Sequence, residues 1–402
     1  MPELIFSTLP KCRLHPATLR AFKDGHPWVT IDSFSKRFPT HTSYIIGTNE
    51  KGHEVALLLN DPTHPEIVAR LWGLLPLKQP DFEKDLLFRL ERAFSKRSQE
   101  LRSERENYYL VFGEADQIPG LFIQKMGPAL LVHYYSGFWK KHESLWLNVF
   151  KSIWKGPEEI WIQERNKNQK IEIRSLGKGN SEFTLSEFGI NYKIILGPNY
   201  DYGIYTDMAS FRKRLIPYLS PHLKVLNLYS YTGAYSLFAL HHGASEVVSV
   251  DLSKKYLDWL NENISLNPKL DHTKHRSINK SVGEALRELK NKNELFDFII
   301  CDPPSASSDG NKISSALKNY SELFPQLLEL LSEHGKMLLF LNTHQVTFSK
   351  WRQKIGELSL NHPELKILKE FHLEEDCPRL KFFPEGDYLK GILIEKQMKT
   401  RS

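Results

Sequence analysis

Lys224-Val-Leu-Asn-Leu-Tyr-Ser-Tyr-Thr-Gly233, followed by Ala234 to His242 and by Glu246-Val-Val-Ser-Val-Asp251, is the stretch that decides the fold. Lys224 to Leu228 is a short apolar run of the kind a fully buried parallel strand shows, and it breaks into a polar turn with one glycine. Ala234 to His242 sets Tyr235, Phe238 and Ala239 on one helical face, and Gly243 stops it. Glu246 to Val250 is a second, β-branched strand that ends on the carboxylate of Asp251. Residues 224–251 thus predict one βαβ unit.

In such a unit the turn after the first strand lets backbone approach a ligand, and an acid ending the second strand accepts from ribose hydroxyls. A dinucleotide and S-adenosylmethionine both meet that description. A dinucleotide needs G-x-G-x-x-G to seat its pyrophosphate against helix N–H groups, and this turn has only Gly233. The turn therefore favours S-adenosylmethionine.

Phe296-Asp-Phe-Ile-Ile-Cys-Asp-Pro-Pro-Ser305 is a second apolar strand ending on a carboxylate. Two successive prolines fix φ and leave no N–H to prolong a helix or ladder, so Asp302 is held on a rigid loop at the carboxyl edge of the sheet. Asp and Pro are also ordinary turn residues. Their pairing with the Asp251 unit is what favours a site.

Asn227-Leu-Tyr-Ser-Tyr-Thr-Gly233, Asp251 and Asp302-Pro303-Pro304 together resemble the cofactor and target motifs of class I S-adenosylmethionine-dependent RNA methyltransferases. More narrowly, the chain resembles bacterial 23S rRNA large-subunit methyltransferases with an N-terminal PUA domain, the cytosine-C5 branch and its relatives. Gly25-His-Pro-Trp28, Gly113-Glu-Ala-Asp116 with Pro119-Gly-Leu121, and Phe383-Pro-Glu-Gly-Asp-Tyr-Leu-Lys-Gly391 look like further signatures of that family. The resemblance implies an α/β fold: a Rossmann-like class I methyltransferase domain with a mostly parallel seven-stranded sheet, preceded by a β-rich PUA-like domain and a central α+β domain. It implies S-adenosyl-L-methionine as cofactor and rRNA as partner, with a homodimer as one admissible assembly.

Composition agrees with that layout. The 402 residues exceed one hydrophobic core, and 25% charged against 41% hydrophobic residues describe an ordinary globular protein. The net charge of +6 is a mild basic excess, compatible with a polyanionic partner. Cys12, Cys301 and Cys377 form neither a disulfide framework nor a C-x-x-C pair, so a reducing cytoplasm is expected and no metal site. The sequence lacks an eighteen-residue apolar run and a leader-like start, so neither a membrane span nor secretion is expected.

Three domains are expected. Residues 1–75 carry short strands such as Ser43 to Gly47 and Glu54 to Leu59 and read as the PUA-like RNA-binding domain. Residues 76–190 read as the central domain. It opens on an amphipathic helix from Asp81 to about Glu106, with Phe82, Leu86, Leu90 and Phe94 as its buried stripe. Candidate strands at Tyr108 to Phe112, Leu121 to Gln124, Ala129 to Tyr134 and Glu159 to Gln163 follow, with Asn166 to Lys170 and Gly177 to Asn180 as loops. Residues 191–402 read as the methyltransferase domain.

Roles follow from the resemblance. Tyr229, Ser230, Thr232 and Gly233 are expected to wrap the methionine end of the cofactor, with Asn227 nearby, and Asp251 to hold the ribose. Glu284 matches an adenine-contacting acid, although it also fits a solvated helix start. Asp302 is expected to accept from the methionine ammonium or the target base, with Pro303, Pro304 and Ser305 framing the base. Tyr205, Asp207 and Arg212 match a substrate segment. There the usual Lys-Thr-Gly is Asp201-Tyr202-Gly203 and the usual Gln-Arg is Met208-Ala209, so a structural ion pair is the other reading of Asp207 and Arg212. Tyr202 is a further candidate to face the base.

Methylating C5 of a pyrimidine requires a thiolate at C6. Cytosine-C5 relatives carry that cysteine just after the strand that here is Lys336 to Leu341, where this chain has Asn342-Thr343. Alternation turns Cys301 away from Asp302, into the structure. Cys377, in Asp-Cys-Pro where the family reads Asp-His-Pro, is expected to be exposed on the active-site side. Ring-nitrogen methylation needs no covalent intermediate. The expected function is therefore base methylation of 23S rRNA by a non-covalent route. The alternatives are a cytosine-C5 enzyme using an unusually placed cysteine, a non-catalytic RNA-binding assembly factor, and a small-molecule methyltransferase.

Overall fold

The computed structural model describes residues 6–398, apart from 36–37, 63, 157–158, 165–171, 178, 198–201, 305–306, 310–311 and 315. Ser305, Asp201 and the polar loop at 166–170 lie outside the described residues. The chain forms two compact units, one of residues 1–183, 196–200 and 374–386, the other of residues 184–195, 201–373 and 387–402.

The second unit is built on a seven-stranded sheet. Its strands, numbered along the chain, are β1 (Lys224–Leu228), β2 (Glu246–Asp251), β3 (His275–Asn279), β4 (Phe296–Cys301), β5 (Leu331–Asn342), β6 (Leu365–His372) and β7 (Leu389–Lys396). Their order is β3-β2-β1-β4-β5-β7-β6. The first five run parallel, and β7 lies antiparallel to both β5 and β6. This is the Rossmann-like sheet that the resemblance implied.

β1 pairs along both edges, and residues of both its faces are buried under the crossover helices, which is why its run reads as unbroken apolar sequence. Helices α1 (Ala234–His241), α2 (Lys254–Ser265), α3 (Val282–Asn291), α4 (Ala316–Glu329) and α5 (Phe348–Ser359) connect the strands. The core gathers Leu226, Val248, Ile299, Leu339, Tyr320 and Trp351, all buried. Strand order reverses between β1 and β4, which opens a crevice at the carboxyl ends of those two strands. The turn after β1 and the Asp302 loop after β4 flank that crevice, which explains why two stretches far apart in sequence act together.

The first unit holds two five-stranded sheets. One is built from residues 11–74 and the other from Asn107–Phe112, Leu121–Met126, Ala129–Tyr134, Glu159–Glu164 and Glu172–Ser175. The single amphipathic helix expected from Asp81 is two helices, Phe82–Ser95 and Gln99–Glu104. Ser98 starts the second by accepting from the Leu101 N–H at 3.1 Å. Arg97 turns inward at the break and forks onto Asp116 with 3.0 and 2.6 Å hydrogen bonds.

Three signature segments meet in this unit. Trp28 donates through Nε1 to Glu114 at 2.8 Å and packs edge-on against Phe383, while Arg97 reaches the Asp376 carbonyl at 3.1 Å. The Asp376 carboxylate takes Arg105 and the Tyr109 N–H. Segment 374–386, between β6 and β7, therefore belongs with the first unit, although the sequence reading placed it in the methyltransferase domain.

Candidate active site

The turn after β1 is shaped by backbone conformation. Tyr229, Tyr231 and Gly233 have φ of 56°, 50° and 84°. Two non-glycine residues in the left-handed region within one short turn are held there at a cost, which is typical of functional loops. A Cβ on Gly233 would sit 2.4 Å from Cγ of Leu260 on α2, so the close approach of turn and helix requires glycine. Thr232 donates to the Gly203 carbonyl, and the Tyr231 hydroxyl accepts from the Gly203 N–H at 2.9 Å. Residues 203 and 229–233 are thereby fixed to one another.

Asp251, at the end of β2, accepts from the Tyr231 N–H at 2.9 Å and from the Ser253 N–H at 2.8 Å. Its carboxylate is locked in place and retains lone pairs for hydroxyl donors. Asn279 donates to the carbonyls of Asp251 and Leu252, pinning the same corner from β3. Asn227 does not face the turn. It is buried and donates to Ser236, which is hydrogen-bonded to Ser249 and through it to His275. That chain ties β1, α1, β2 and β3 together, and burial pushes the His275 imidazole down to about 4, so it stays neutral.

Glu284 forms a capping box with Ser281 at the start of α3 and is exposed. The helix-start alternative accounts for its side chain.

At the end of β4, Asp302 is partly buried and makes no hydrogen bond or ion pair among the described residues. Burial, and then the charge of Asp207, push its carboxyl up to about 7. Cys301 is fully buried and its thiol is driven up by desolvation, as alternation predicted. Tyr320 on α4 donates to the carbonyls of Cys301 and Phe340 at 3.0 and 2.6 Å, binding the ends of β4 and β5 to one another. Pro303 is buried and Pro304 exposed on the loop that follows.

The substrate segment divides. Tyr205 is 45% exposed, with its ring 5.3 Å from that of Tyr231. Tyr202, expected to face the base, is buried instead. Arg212 is buried and forks onto Glu187 at 2.6 and 2.9 Å, so its pair is with Glu187 and not with Asp207. Asp207 accepts from the Tyr388 hydroxyl at 2.6 Å.

Asn342 is exposed at the end of β5. The Thr343 N–H bonds the Tyr388 carbonyl at 2.8 Å, and the Thr343 carbonyl accepts from Lys390 Nζ at 2.9 Å. Cys377 was expected to be exposed, yet it is 1% exposed and belongs to the first unit, because Asp376 beside it is drawn in by Arg105. Sequence reasoning missed Tyr388 and Lys390. A lysine inside the otherwise apolar run Leu389 to Ile394 was the available signal.

The residues fit S-adenosylmethionine. The Ser230 hydroxyl in the turn is buried with no hydrogen-bond partner among the described residues, an orphan that a ligand carboxylate or ammonium would satisfy. Across the crevice, Asp302 offers an unpaired carboxylate to a cation. Asp251 offers a fixed acceptor to a diol.

Comparison with known proteins agrees. A profile of S-adenosylmethionine-dependent methyltransferases matches residues 157–378, more than half of the 402. Ribosomal RNA large subunit methyltransferase I of Shigella boydii is 27% identical over 347 residues, spanning 81% of this chain and 84% of its own. The protein of that name from Escherichia coli is 27% identical over 343 residues with the same coverage. A solved protein described as a methyltransferase complexed with SAH has a TM-score of 0.87 at 21% identity, covering 96% of this chain and 100% of its own. One from Streptococcus mutans, described as a SAM-dependent methyltransferase, has a TM-score of 0.85 at 22% identity with the same coverage. The solved structures speak for the fold, and the profile for the family: the chain belongs to the S-adenosylmethionine-dependent methyltransferases.

Proposed function

We propose that this enzyme methylates a base of large-subunit ribosomal RNA by a non-covalent route. The observation that carries the RNA assignment is the likeness to ribosomal RNA large subunit methyltransferase I along 81% of this chain and 84% of that protein. The non-covalent route is supported by the chain ending β5 in Asn342-Thr343 and by the burial of Cys12, Cys301 and Cys377. Burial raises the Cys12 and Cys301 thiols towards their neutral form, and Cys377 is only 1% exposed, so its sulfur is closed off from a base.

The cofactor, when bound, supplies a sulfonium methyl for in-line transfer to a lone pair of the base. In this reading the backbone of Tyr229 to Gly233 holds the amino-acid end with Ser230, Asp251 fixes the ribose and Asp302 takes the ammonium. A flipped base would enter beside Pro303, Pro304 and the exposed ring of Tyr205, with Asp207 and Asn342 as polar anchors. The first 75 residues are proposed as the PUA-like module that holds the RNA, and the central region up to residue 190 as the domain after it. The cytoplasm is the proposed compartment. Among the described residues no helix is long and apolar enough to cross a membrane.

Mass spectrometry of ribosomal RNA from wild-type and deletion strains tests the proposal. One base methylation on large-subunit rRNA should disappear and return with the purified enzyme and S-adenosylmethionine. Loss of 5-methylcytosine would overturn the non-covalent route, and an unchanged methylation pattern would overturn the RNA assignment.

A further inference from the structure

Two segments proposed to face the acceptor, Tyr205 to Asp207 and Asn342-Thr343, are far apart in sequence, and the start of β7 touches both. Tyr388 reaches Asp207 through its hydroxyl at 2.6 Å and holds the Thr343 N–H on its carbonyl at 2.8 Å. Two residues on, Lys390 donates from Nζ to the Thr343 carbonyl at 2.9 Å. Thr343 is thus clamped at both its N–H and its C=O, and its own hydroxyl accepts from the Gln345 N–H at 3.2 Å. Asn342, paired opposite Leu389, projects from the fixed end into solvent.

Lys390 is an unusual way to secure a carbonyl. It is 1% exposed, and among the described residues no carboxylate lies within ion-pair distance of it. Burial drives its ammonium down to about 8, with Asp387 only partly offsetting the effect. A backbone carbonyl at a strand end is ordinarily satisfied by water or by the neighbouring strand, and a buried lysine with no carboxylate within ion-pair distance lowers stability. A methionine would fill the same space at less cost. Retaining the ammonium there is explained if the position of the Asn342-Thr343 turn matters more than the stability lost.

We propose that Lys390 is a positioning residue for methyl transfer, its buried ammonium holding the Asn342-Thr343 turn against the transfer edge while Tyr388 ties that turn and Asp207 to the same strand start. The proposal rests on the reading of that turn as acceptor-facing. It predicts that loss of Lys390 loosens the turn and slows the transfer without disturbing the cofactor pocket, whose hydrogen bonds join the turn after β1 to Gly203 and to Asp251 on β2.

The test combines hydrogen exchange over residues 342–345 with calorimetry and steady-state kinetics on the full chain, using Lys390→Met and Lys390→Arg. In the Met variant S-adenosylmethionine affinity should stay within about twofold, exchange protection of the turn should fall, and kcat should fall by up to about a hundredfold with KM for the rRNA moving less. Arginine keeps a donor at that place and should recover a substantial part of both protection and kcat. Unchanged exchange and kcat in the Met variant overturn the proposal. So does a parallel loss of cofactor binding and Tm in both variants, which would mark Lys390 as structural alone. A wild-type enzyme that binds S-adenosylmethionine but modifies no rRNA defeats the acceptor assignment instead, and the exchange result then decides by itself whether Lys390 holds the turn.

Discussion

Buried charge is handled differently in the two units. In the first, each deeply buried arginine meets a carboxylate: Arg70 with Asp61, Arg89 with Asp85, Arg97 with Asp116 and Arg105 with Asp376. Burial alone would push the Asp116 carboxyl up, but the hydrogen bonds and charge of Arg97, with Lys96, outweigh it and hold the group below its ordinary value. The second unit repeats this pairing at Arg212 and Glu187. At its sheet edge it departs from it: among the described residues Asp302 has no hydrogen-bond or ion-pair partner, and Lys390 bonds only a carbonyl, with Asp387 acting on it by charge alone. Paired charges fix a structure, whereas an unpaired buried charge lowers stability and persists where a ligand or a geometry needs it.

The sharpest way to break this distinction is to remove one partner from each kind of site. Arg97→Leu leaves the buried Asp116 with only Lys96 and the Phe112 N–H, and should cost about 3–5 kcal/mol in urea unfolding, the largest effect among these variants. Asp302→Asn should cost nothing in the same measurement. The sign for Asp302 is set by its raised value: relative to the unfolded chain the folded form is penalised as pH rises from about 4 towards about 7. Above that window the Asn variant should equal or exceed the wild type in stability. A loss of several kcal/mol in Asp302→Asn would make it a structural residue and end the comparison.

Asp251 lies between the two classes, because it has partners, but they are backbone N–H groups of the turn it shapes. Asp251→Ala removes both along with the ribose contact, and S-adenosylmethionine affinity measured by calorimetry should fall about a hundredfold. Gly233→Ala forces a methyl to within 2.4 Å of Leu260 at a φ of 84°, and should lower stability by about 2 kcal/mol in urea unfolding, with cofactor affinity falling alongside. An alanine variant of wild-type stability would mean that the turn is less tightly packed on α2 than described.

The βαβ unit was legible because periodicity, a lone glycine and a terminal acid are local signals. The positions of Asp251 and Asp302 followed from the same rule that puts ligands at carboxyl ends of strands. What the sequence hid were partners supplied from far along the chain. Nothing near Arg212 announced Glu187, nothing near Cys377 announced that Arg105 would draw Asp376 inward, and Asn227 gave no sign that Ser236 would take it. Tyr388 and Lys390 were within a quoted motif, yet their roles depend on β7 lying antiparallel to β5, a pairing no short-range pattern encodes.

The smallest effect tests the unpaired carboxylate most directly. If Asp302 receives the methionine ammonium, binding needs its ionised form. A group poised at about 7 then links cofactor affinity to pH within the physiological range. Lowering pH from about 7.5 to about 5.5 protonates it and should weaken S-adenosylmethionine binding by about tenfold or more, a little over 1.4 kcal/mol. Calorimetry at the lower pH, in buffers of different ionisation enthalpy, should show a proton released on binding, since the incoming cation favours the carboxylate. Asp302→Asn should flatten this dependence at the weak, acidic level of affinity. Asp207→Asn should keep it but move the midpoint down, because the charge of Asp207 is the second cause of the shift after burial. A wild-type affinity that is flat across this range, with no proton released, would place the ammonium elsewhere and leave Asp302 to the acceptor base.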